Sequence, residues 1–183
     1  MSTLKIHDQN SAPEKSKPFL ENSIKSFGSI PNLHGVLAGA PGLIEAYQKL
    51  HQLFIETSFT DEEKTVVWQT INIEHECHYC VPAHTAIANM MHVAPEITEA
   101  LRNETKMPTA KLQTLHETTL VLVRNRGRIS DKELEAFFNA GFTEQQLLEI
   151  ILGISQKVIS NYTNHIAETP IDASFEKFAW KKK

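Results

Sequence analysis

Apolar residues along most of this chain recur every three or four positions, the spacing that places side chains on one face of an α-helix. Between residues 41 and 55 the recurring positions are Leu43, Ala46, Tyr47, Leu50 and Phe54. The same spacing predicts helices over residues 17–27, 60–73, 78–92, 109–125 and 143–168, with shorter ones after residues 31, 94 and 130. No stretch alternates apolar and polar residues between turn dipeptides, so we expect no strand and an all-α fold.

Several of these helices carry a start signal. A hydroxyl residue is followed three positions later by a carboxylate or amide in residues 60–63, 130–133 and 143–146. This arrangement is typical of a capping box, in which the two side chains bind the free N–H groups of the first helical turn. The boundaries of at least three helices are therefore predicted with a physical reason.

Composition and charge limit the class of protein. The chain has 183 residues, of which 41% are hydrophobic, and a net charge of −4. Its only basic run is Lys181–Lys183, which argues against a nucleic-acid partner. No apolar run approaches the ~18 residues of a membrane span, and the polar start lacks the apolar core of a signal peptide. We expect a cytoplasmic protein with a flexible arm over residues 1–17 and a single all-α domain over residues 18–183.

The candidate chemistry lies in one short segment, residues 74–84, which read Glu-His-Glu-Cys-His-Tyr-Cys-Val-Pro-Ala-His. It contains both cysteines of the chain, Cys77 and Cys80. Two thiols three residues apart can form a disulfide without moving the rest of the fold. In a cytoplasmic protein such a pair is more often catalytic, redox-active or metal-binding than a structural crosslink.

Pro82 helps to place these thiols. Proline is tolerated only in the first turn of a helix, so the helix should begin near residues 77–79. Both thiols would then lie at a helix N-terminus, where the partial positive charge favours a thiolate. On an ideal helix Cys77, Cys80 and His84 fall within roughly 60° of one another, so they should share one face.

The pattern Glu74-x-x-Cys77-x-x-Cys80-x-x-x-His84 resembles the motif of the alkylhydroperoxidase D and carboxymuconolactone decarboxylase superfamily. The flanking segments 30–33 and 161–165 are similar to those of its peroxidase-related members, and the similarity extends from Phe27 to Trp180. The resemblance implies an all-helical bundle that associates into a homo-oligomer. It also implies reduction of hydroperoxides by a dithiol–disulfide cycle that needs no metal and no organic cofactor.

The resemblance further implies roles for individual residues. Cys80 would attack the hydroperoxide, Cys77 would resolve the resulting sulfenic acid, and His84 would relay protons. An external dithiol or a disulfide-reducing protein would then reset the pair. Alkylhydroperoxidase D has a catalytic glutamate twelve residues before its first cysteine, where this chain has Thr65. Glu74 would replace that glutamate as the base.

Other interpretations of the same residues remain open. The cysteine pair could exchange disulfides with a partner protein and never meet a peroxide. His84 and Glu74 could instead serve as acid and base of a cofactor-free lyase. Zinc could bind Cys77, Cys80, His84 and either Glu74 or His75, although structural zinc usually joins segments that are distant in sequence.

Overall fold

The computed structural model of the chain describes residues 4–182, and all regular structure within them is helical. The prediction of an all-α fold is therefore confirmed for the described part of the chain. Two 3-10 helices, Glu14–Ser16 and Ala173–Phe178, lie outside the nine α-helices that these residues form. The α-helices are α1 (Lys17–Phe27), α2 (Asn32–Leu37), α3 (Pro41–Ile55), α4 (Asp61–Glu74), α5 (Cys80–Met90), α6 (Pro95–Arg102), α7 (Ala110–Arg124), α8 (Asp131–Asn139) and α9 (Glu144–Ala167).

The predicted capping boxes set the starts of three helices. At the starts of α4, α8 and α9 the hydroxyl side chain accepts a hydrogen bond from the backbone N–H three residues later. The carboxylate or amide side chain of that later residue accepts from the backbone N–H of the hydroxyl residue. Each pair satisfies two N–H groups that a helix start would otherwise leave without a partner. Local sequence therefore determines these boundaries.

Helix α4 is the centre of the bundle. It packs against α5, α6, α7 and α9, and α9 in turn packs against α3. Trp68 of α4 is 1% exposed and lies in the main hydrophobic core. No helix within residues 4–182 has the length and apolarity needed to cross a bilayer.

Helix α9 has an unusual distribution of side chains. Its inward face carries polar residues that are buried, namely Gln156, Lys157, Ser160, Asn161 and Asn164. Its outward face exposes between 48% and 67% of four large apolar side chains, Leu148, Ile151, Tyr162 and Ile166. A helix that buries polar groups must satisfy them with partners, and an exposed apolar face usually marks an interface. The inward face builds the site described below, and association of copies through the outward face stays a prediction.

The segment before α1 differs from the expected flexible arm. His7 N–H donates to the Gly35 carbonyl of α2 at 2.9 Å, and the Ser16 hydroxyl donates to the Ala38 carbonyl at 2.7 Å. Gly35 permits this approach, because a Cβ there would lie 2.6 Å from Ile6 Cγ2. Residues 4–16 therefore pack on the domain, while residues 1–3 of the predicted arm lie outside the described residues.

Candidate active site

The two cysteines occupy different backbone environments at the junction of α4 and α5. Cys77 lies in the connecting loop, where its N–H donates to the Asn72 carbonyl at 2.9 Å. Cys80 is the first residue of α5, and Pro82 lies in the first turn as predicted. The helix begins slightly later than residues 77–79, so only Cys80 and His84 lie on it.

Both thiols are free and almost fully buried, with Cys77 0% and Cys80 2% exposed. The Cys80 N–H donates to Cys77 Sγ at 3.2 Å. Asn164 Nδ2 of α9 donates to both sulfurs, at 3.2 Å to Cys80 and 3.8 Å to Cys77. The fold thus brings the two thiols together and directs one amide at both of them.

The surroundings make the two thiols unequal. Burial acts to raise the pKa of Cys80, but the hydrogen bond from Cys77, the charge of Lys157 and the donors Ser160 and Asn164 outweigh it and lower that pKa. The pKa of Cys77 is raised, first by its hydrogen bond to Cys80 and then by burial. Since the thiolate is the nucleophile, Cys80 is the better prepared of the two.

Cys80 is also the thiol that a small molecule can reach. A cavity of about 1010 Å³ opens between α1, α3 and α5, and Cys80 contributes to its wall whereas Cys77 does not. Tyr47, His84, Lys157 and Phe175 line the same cavity. One thiol of the pair therefore borders the cavity, and the other does not.

His84 is buried on α5 against a lysine. Its Nε2 lies 2.9 Å from Lys157 Nζ of α9, and its ring centroid lies 4.8 Å from that of Trp68. Burial first, then the charges of Lys157 and His51, hold the pKa of His84 well below its usual value. His84 is therefore a neutral imidazole at pH 7, and its Nδ1 has no hydrogen-bond partner among the described residues.

Glu74 forms an ion pair with Arg124 of α7. Arg124 donates to both of its carboxylate oxygens, at 2.8 and 2.7 Å. These hydrogen bonds are the main reason that the pKa of Glu74 is lowered. No described hydrogen bond joins Glu74 to Cys77, Cys80 or His84. Of the four predicted residues, Cys77 and Cys80 are in contact with each other and His84 lines the same cavity as Cys80, whereas Glu74 does not line that cavity.

Two further sequence-based candidates have defined surroundings. Thr65 is buried in α4, and its hydroxyl has no hydrogen-bond partner among the described residues. His75 Nδ1 lies 2.9 Å from Asn161 Oδ1. Within residues 4–182 no group of three or more His, Cys, Asp or Glu side chains is placed to hold a metal ion.

Tyr79, one of the two residues between the thiols, connects the site to the C-terminal tail. Its hydroxyl donates to Asp172 Oδ2 and accepts from the Leu33 N–H at 3.3 Å. Phe175 packs edge-on against the Tyr79 ring and lines the cavity. The tail after α9 is therefore part of the wall around Cys80.

A row of six rings extends along the cavity, and neighbouring centroids are 4.8 to 6.2 Å apart. The ring row consists of Phe27, His34, Tyr47, His51, Trp68 and His84. Burial is the main cause that lowers the pKa values of His34 and His51 to about 4. The ring row is therefore uncharged at pH 7 and offers flat apolar surface to a ligand.

Sequence reasoning missed the contribution of α9. Lys157, Ser160, Asn161 and Asn164 are spaced i, i+3, i+4 and i+7, so they share one helical face. Polar residues at that spacing along one face of a long helix are a signal that could have identified them. Asn161 Nδ2 donates to Asn72 Oδ1 at 3.0 Å, which connects this face to the last turn of α4, whose Asn72 carbonyl accepts from the Cys77 N–H.

Comparison with known proteins gives a fold but no sequence match. No protein-family model matches the chain. No curated protein matches it either.

Solved structures that resemble the chain cover nearly its whole length. An uncharacterized peroxidase-related protein from Ralstonia eutropha JMP134, described as an alkylhydroperoxidase AhpD core, matches with a TM-score of 0.84 at 18% identity, over 95% of this chain and 94% of that one. A peroxidase-related protein from Silicibacter sp. TM1040 matches with a TM-score of 0.78 at 17% identity, over 94% and 92%.

A third similar structure binds an aromatic molecule. It is a cysteine-to-alanine variant of the debrominase Bmp8 in complex with 2,3,4-tribromopyrrole, with a TM-score of 0.79 at 15% identity, over 97% of this chain and 95% of that one. At these identities the comparisons establish the fold alone. The resemblance found in the sequence is therefore confirmed at the level of the fold, which is that of the alkylhydroperoxidase D core.

Proposed function

We propose that this protein is a thiol-dependent hydroperoxide reductase in which Cys80 and Cys77 cycle between dithiol and disulfide. The observation that carries the proposal is the inequality of the two thiols. Cys80 lines a cavity of about 1010 Å³ and has a lowered pKa, whereas Cys77 lies behind it with a raised pKa. This is the division of labour that an attacking and a resolving cysteine require.

The proposed reaction balances with one external dithiol. The Cys80 thiolate attacks the distal oxygen of the hydroperoxide, the O–O bond breaks, and Cys80 sulfenic acid and an alkoxide form. The Cys77 thiol condenses with the sulfenic acid, which gives a disulfide and water. A dithiol reduces the disulfide and returns both cysteines to thiols, so the net products are an alcohol, water and an oxidised dithiol.

Proton transfer is the part of this scheme in which sequence and geometry differ. The resemblance assigns the proton acceptor to Glu74 and the relay to His84. Both oxygens of Glu74 accept from Arg124, so the described contacts do not support this assignment. Glu74→Gln tests it directly, because a true general base contributes about 10²-fold or more to the rate.

Turnover of cumene hydroperoxide with a small dithiol tests the proposal. Cys80→Ser should abolish turnover, and Cys77→Ser should complete a single turnover and retain a sulfenic acid that a dimedone-type reagent labels. An active Cys80→Ser variant with label on Cys77 would reverse the assignment. A wild-type protein that consumes no hydroperoxide would refute the proposed function.

A second candidate function is reductive debromination of an aromatic ring. The ring row favours it, since five of its six rings line the cavity that Cys80 reaches, and the similar debrominase holds a brominated pyrrole. Two thiols would supply two electrons: the carbon–bromine bond is replaced by carbon–hydrogen, bromide leaves and the disulfide forms. Bromide release from 2,3,4-tribromopyrrole, measured beside hydroperoxide turnover, separates the two functions.

The remaining interpretations are less well supported by the geometry. A disulfide adaptor for a protein partner would need an accessible thiol, and Cys80 is 2% exposed. A lyase would need Glu74 and His84 in one site, and no described contact brings them together. If the protein turns over no small-molecule oxidant, the adaptor and lyase functions become the alternatives to test.

A further inference from the structure

We propose that Lys157 is the cation that balances the Cys80 thiolate and the proton donor to the leaving oxygen, with His84 as the group that positions it. The delivery step rests on the proposed hydroperoxide reduction, whereas the effect of the lysine charge on Cys80 can be measured without any peroxide. Neither the motif nor the fold resemblance assigns a role to this lysine.

The burial of Lys157 is the first argument. It is 0% exposed, and it is the only buried lysine or arginine among the described residues. No carboxylate within residues 4–182 forms an ion pair with it. An ammonium group without a counter-charge is costly to bury, so the anion that balances it should be nearby.

The Cys80 thiolate is the anion that fits. Lys157 and Cys80 line the same cavity, and the lysine charge is one of the causes that favour the thiolate form of Cys80. A thiolate and an ammonium in the wall of one cavity balance each other's charge. Moving one proton between them gives a thiol and an amine, which are also neutral as a pair and therefore tolerated in the same site.

The hydrogen bond to His84 fixes the lysine in place. When Lys157 is an ammonium group it can only donate, so His84 Nε2, which lies 2.9 Å away, then accepts and carries no proton. The ring proton of neutral His84 is then on Nδ1. This arrangement excludes His84 Nε2 as a proton donor to the substrate while Lys157 is charged, so His84 acts by orienting the lysine.

The proton cycle closes with these groups alone. The thiolate attacks, the alkoxide leaves, and Lys157 gives it a proton to form the alcohol and a neutral amine. After the disulfide forms and a dithiol reduces it, Cys80 returns as a thiol. Cys80 then loses a proton and the Lys157 amine gains one, which restores the thiolate and the ammonium.

Other titratable groups face this pair from several elements and contribute to any pH profile. Those groups are Cys77 and Tyr79 of the loop, Tyr47 and His51 of α3, and His84 of α5. A measurement therefore has to isolate Cys80. Cys77→Ser leaves Cys80 as the only cysteine of the chain and serves as the parent protein.

The first experiment is alkylation of Cys80 by iodoacetamide as a function of pH. Lys157→Met keeps an unbranched chain and removes the charge, so the midpoint should rise by about one pH unit or more relative to the parent. Lys132→Met, at an exposed position of α8, is the matched control and should leave the midpoint unchanged. An unchanged midpoint in Lys157→Met, with the variant folded by circular dichroism, would overturn the proposal.

The second experiment separates charge from proton transfer. Lys157→Arg retains a positive charge that cannot be given up in water, so the alkylation midpoint should stay low. In the protein with both cysteines, Lys157→Arg and Lys157→Met should each slow cumene hydroperoxide reduction by about 10²-fold. Full activity of Lys157→Arg would refute proton delivery. If wild type reduces no hydroperoxide, the proposed function fails, and the alkylation midpoints of Lys157→Met and Lys157→Arg still decide whether the lysine charge stabilises the Cys80 thiolate.

Discussion

Replacement of Asn164 should change the acidity of Cys80 by an amount that the geometry predicts. Asn164 Nδ2 is 3.2 Å from Cys80 Sγ, so it donates to the sulfur that carries the charge. Asn164→Leu keeps a side chain of similar size and removes this donor. A hydrogen bond to a charged group contributes about 1.5–3 kcal/mol, and about 1.4 kcal/mol equals one pKa unit. The pKa of Cys80 should therefore rise by about one to two units in Asn164→Leu.

Asn164→Asp should have a larger effect of the same sign. It replaces the donor with a carboxylate at nearly the same place, and two like charges 4 Å apart repel by about 4 kcal/mol in a protein environment of intermediate polarity. The repulsion alone would raise the pKa of Cys80 by up to about three units, and the loss of the donor adds to that rise. The expected order of thiolate content at pH 7 is parent, then Asn164→Leu, then Asn164→Asp.

The pH dependence of iodoacetamide alkylation in the Cys77→Ser parent measures this order. Reactivity appears as pH rises through the pKa of Cys80, so a raised pKa moves the whole profile to higher pH. Asn139→Leu makes the same substitution at an exposed position of α8 and is the matched control. Coincident profiles for the parent and Asn164→Leu would refute the idea that α9 donates to the reactive sulfur.

Three further predictions concern the packing, the buried histidines and the association of the chain. Gly153→Ala in α9 places a Cβ 2.7 Å from Phe54 Cε2, so overpacking that costs about 1–3 kcal/mol should exceed the helix-propensity gain of up to about 1 kcal/mol and lower the free energy of unfolding. The control Gly42→Ala meets no atom within 4 Å, so its stability in urea unfolding should equal or exceed that of wild type. Equal stability of the two variants would contradict the packing around Gly153. The pKa values of His34 and His51 are lowered to about 4, so the unfolded chain binds protons that the folded chain excludes, and the free energy of unfolding should fall as pH drops from about 6.5 to 4, by up to about 1.4 kcal/mol per unit for each histidine. A free energy of unfolding that is constant from pH 7 to 5 would show that these histidines are not buried as neutral groups. Light scattering at micromolar concentration should give a mass well above that of one chain, and Ile166→Glu on the exposed face of α9 should lower it; a monomeric wild type would contradict association.

Much of the fold follows from local sequence. Helical spacing of apolar residues, capping boxes at residues 60–63 and 143–146, and Pro82 in the first turn of α5 each act over a few residues. These features depend on hydrogen bonds within one helical turn and on the burial of one helical face. They can therefore be recognised in the sequence without knowing which helices pack together. The same locality explains why the Cys77–Cys80 pair and His84 could be identified as the candidate site.

Other features could be decided only by packing between segments distant in sequence. Glu74 belongs to the motif, but Arg124, which lies fifty residues later in the sequence, donates hydrogen bonds to both of its carboxylate oxygens. Residues 4–16 read as a polar arm because nothing in them shows that Gly35 leaves room for Ile6.

The electrostatic character of the site also comes from tertiary structure. Lys157 and Asn164 lie about eighty residues after the thiols, and they act on Cys80 only because α9 packs its polar face inward. The sequence by itself determined which atoms could react. Burial, and the donors and charges that burial places around each sulfur, decide which of the two becomes the thiolate, since both effects depend on distances that exist only in the folded chain.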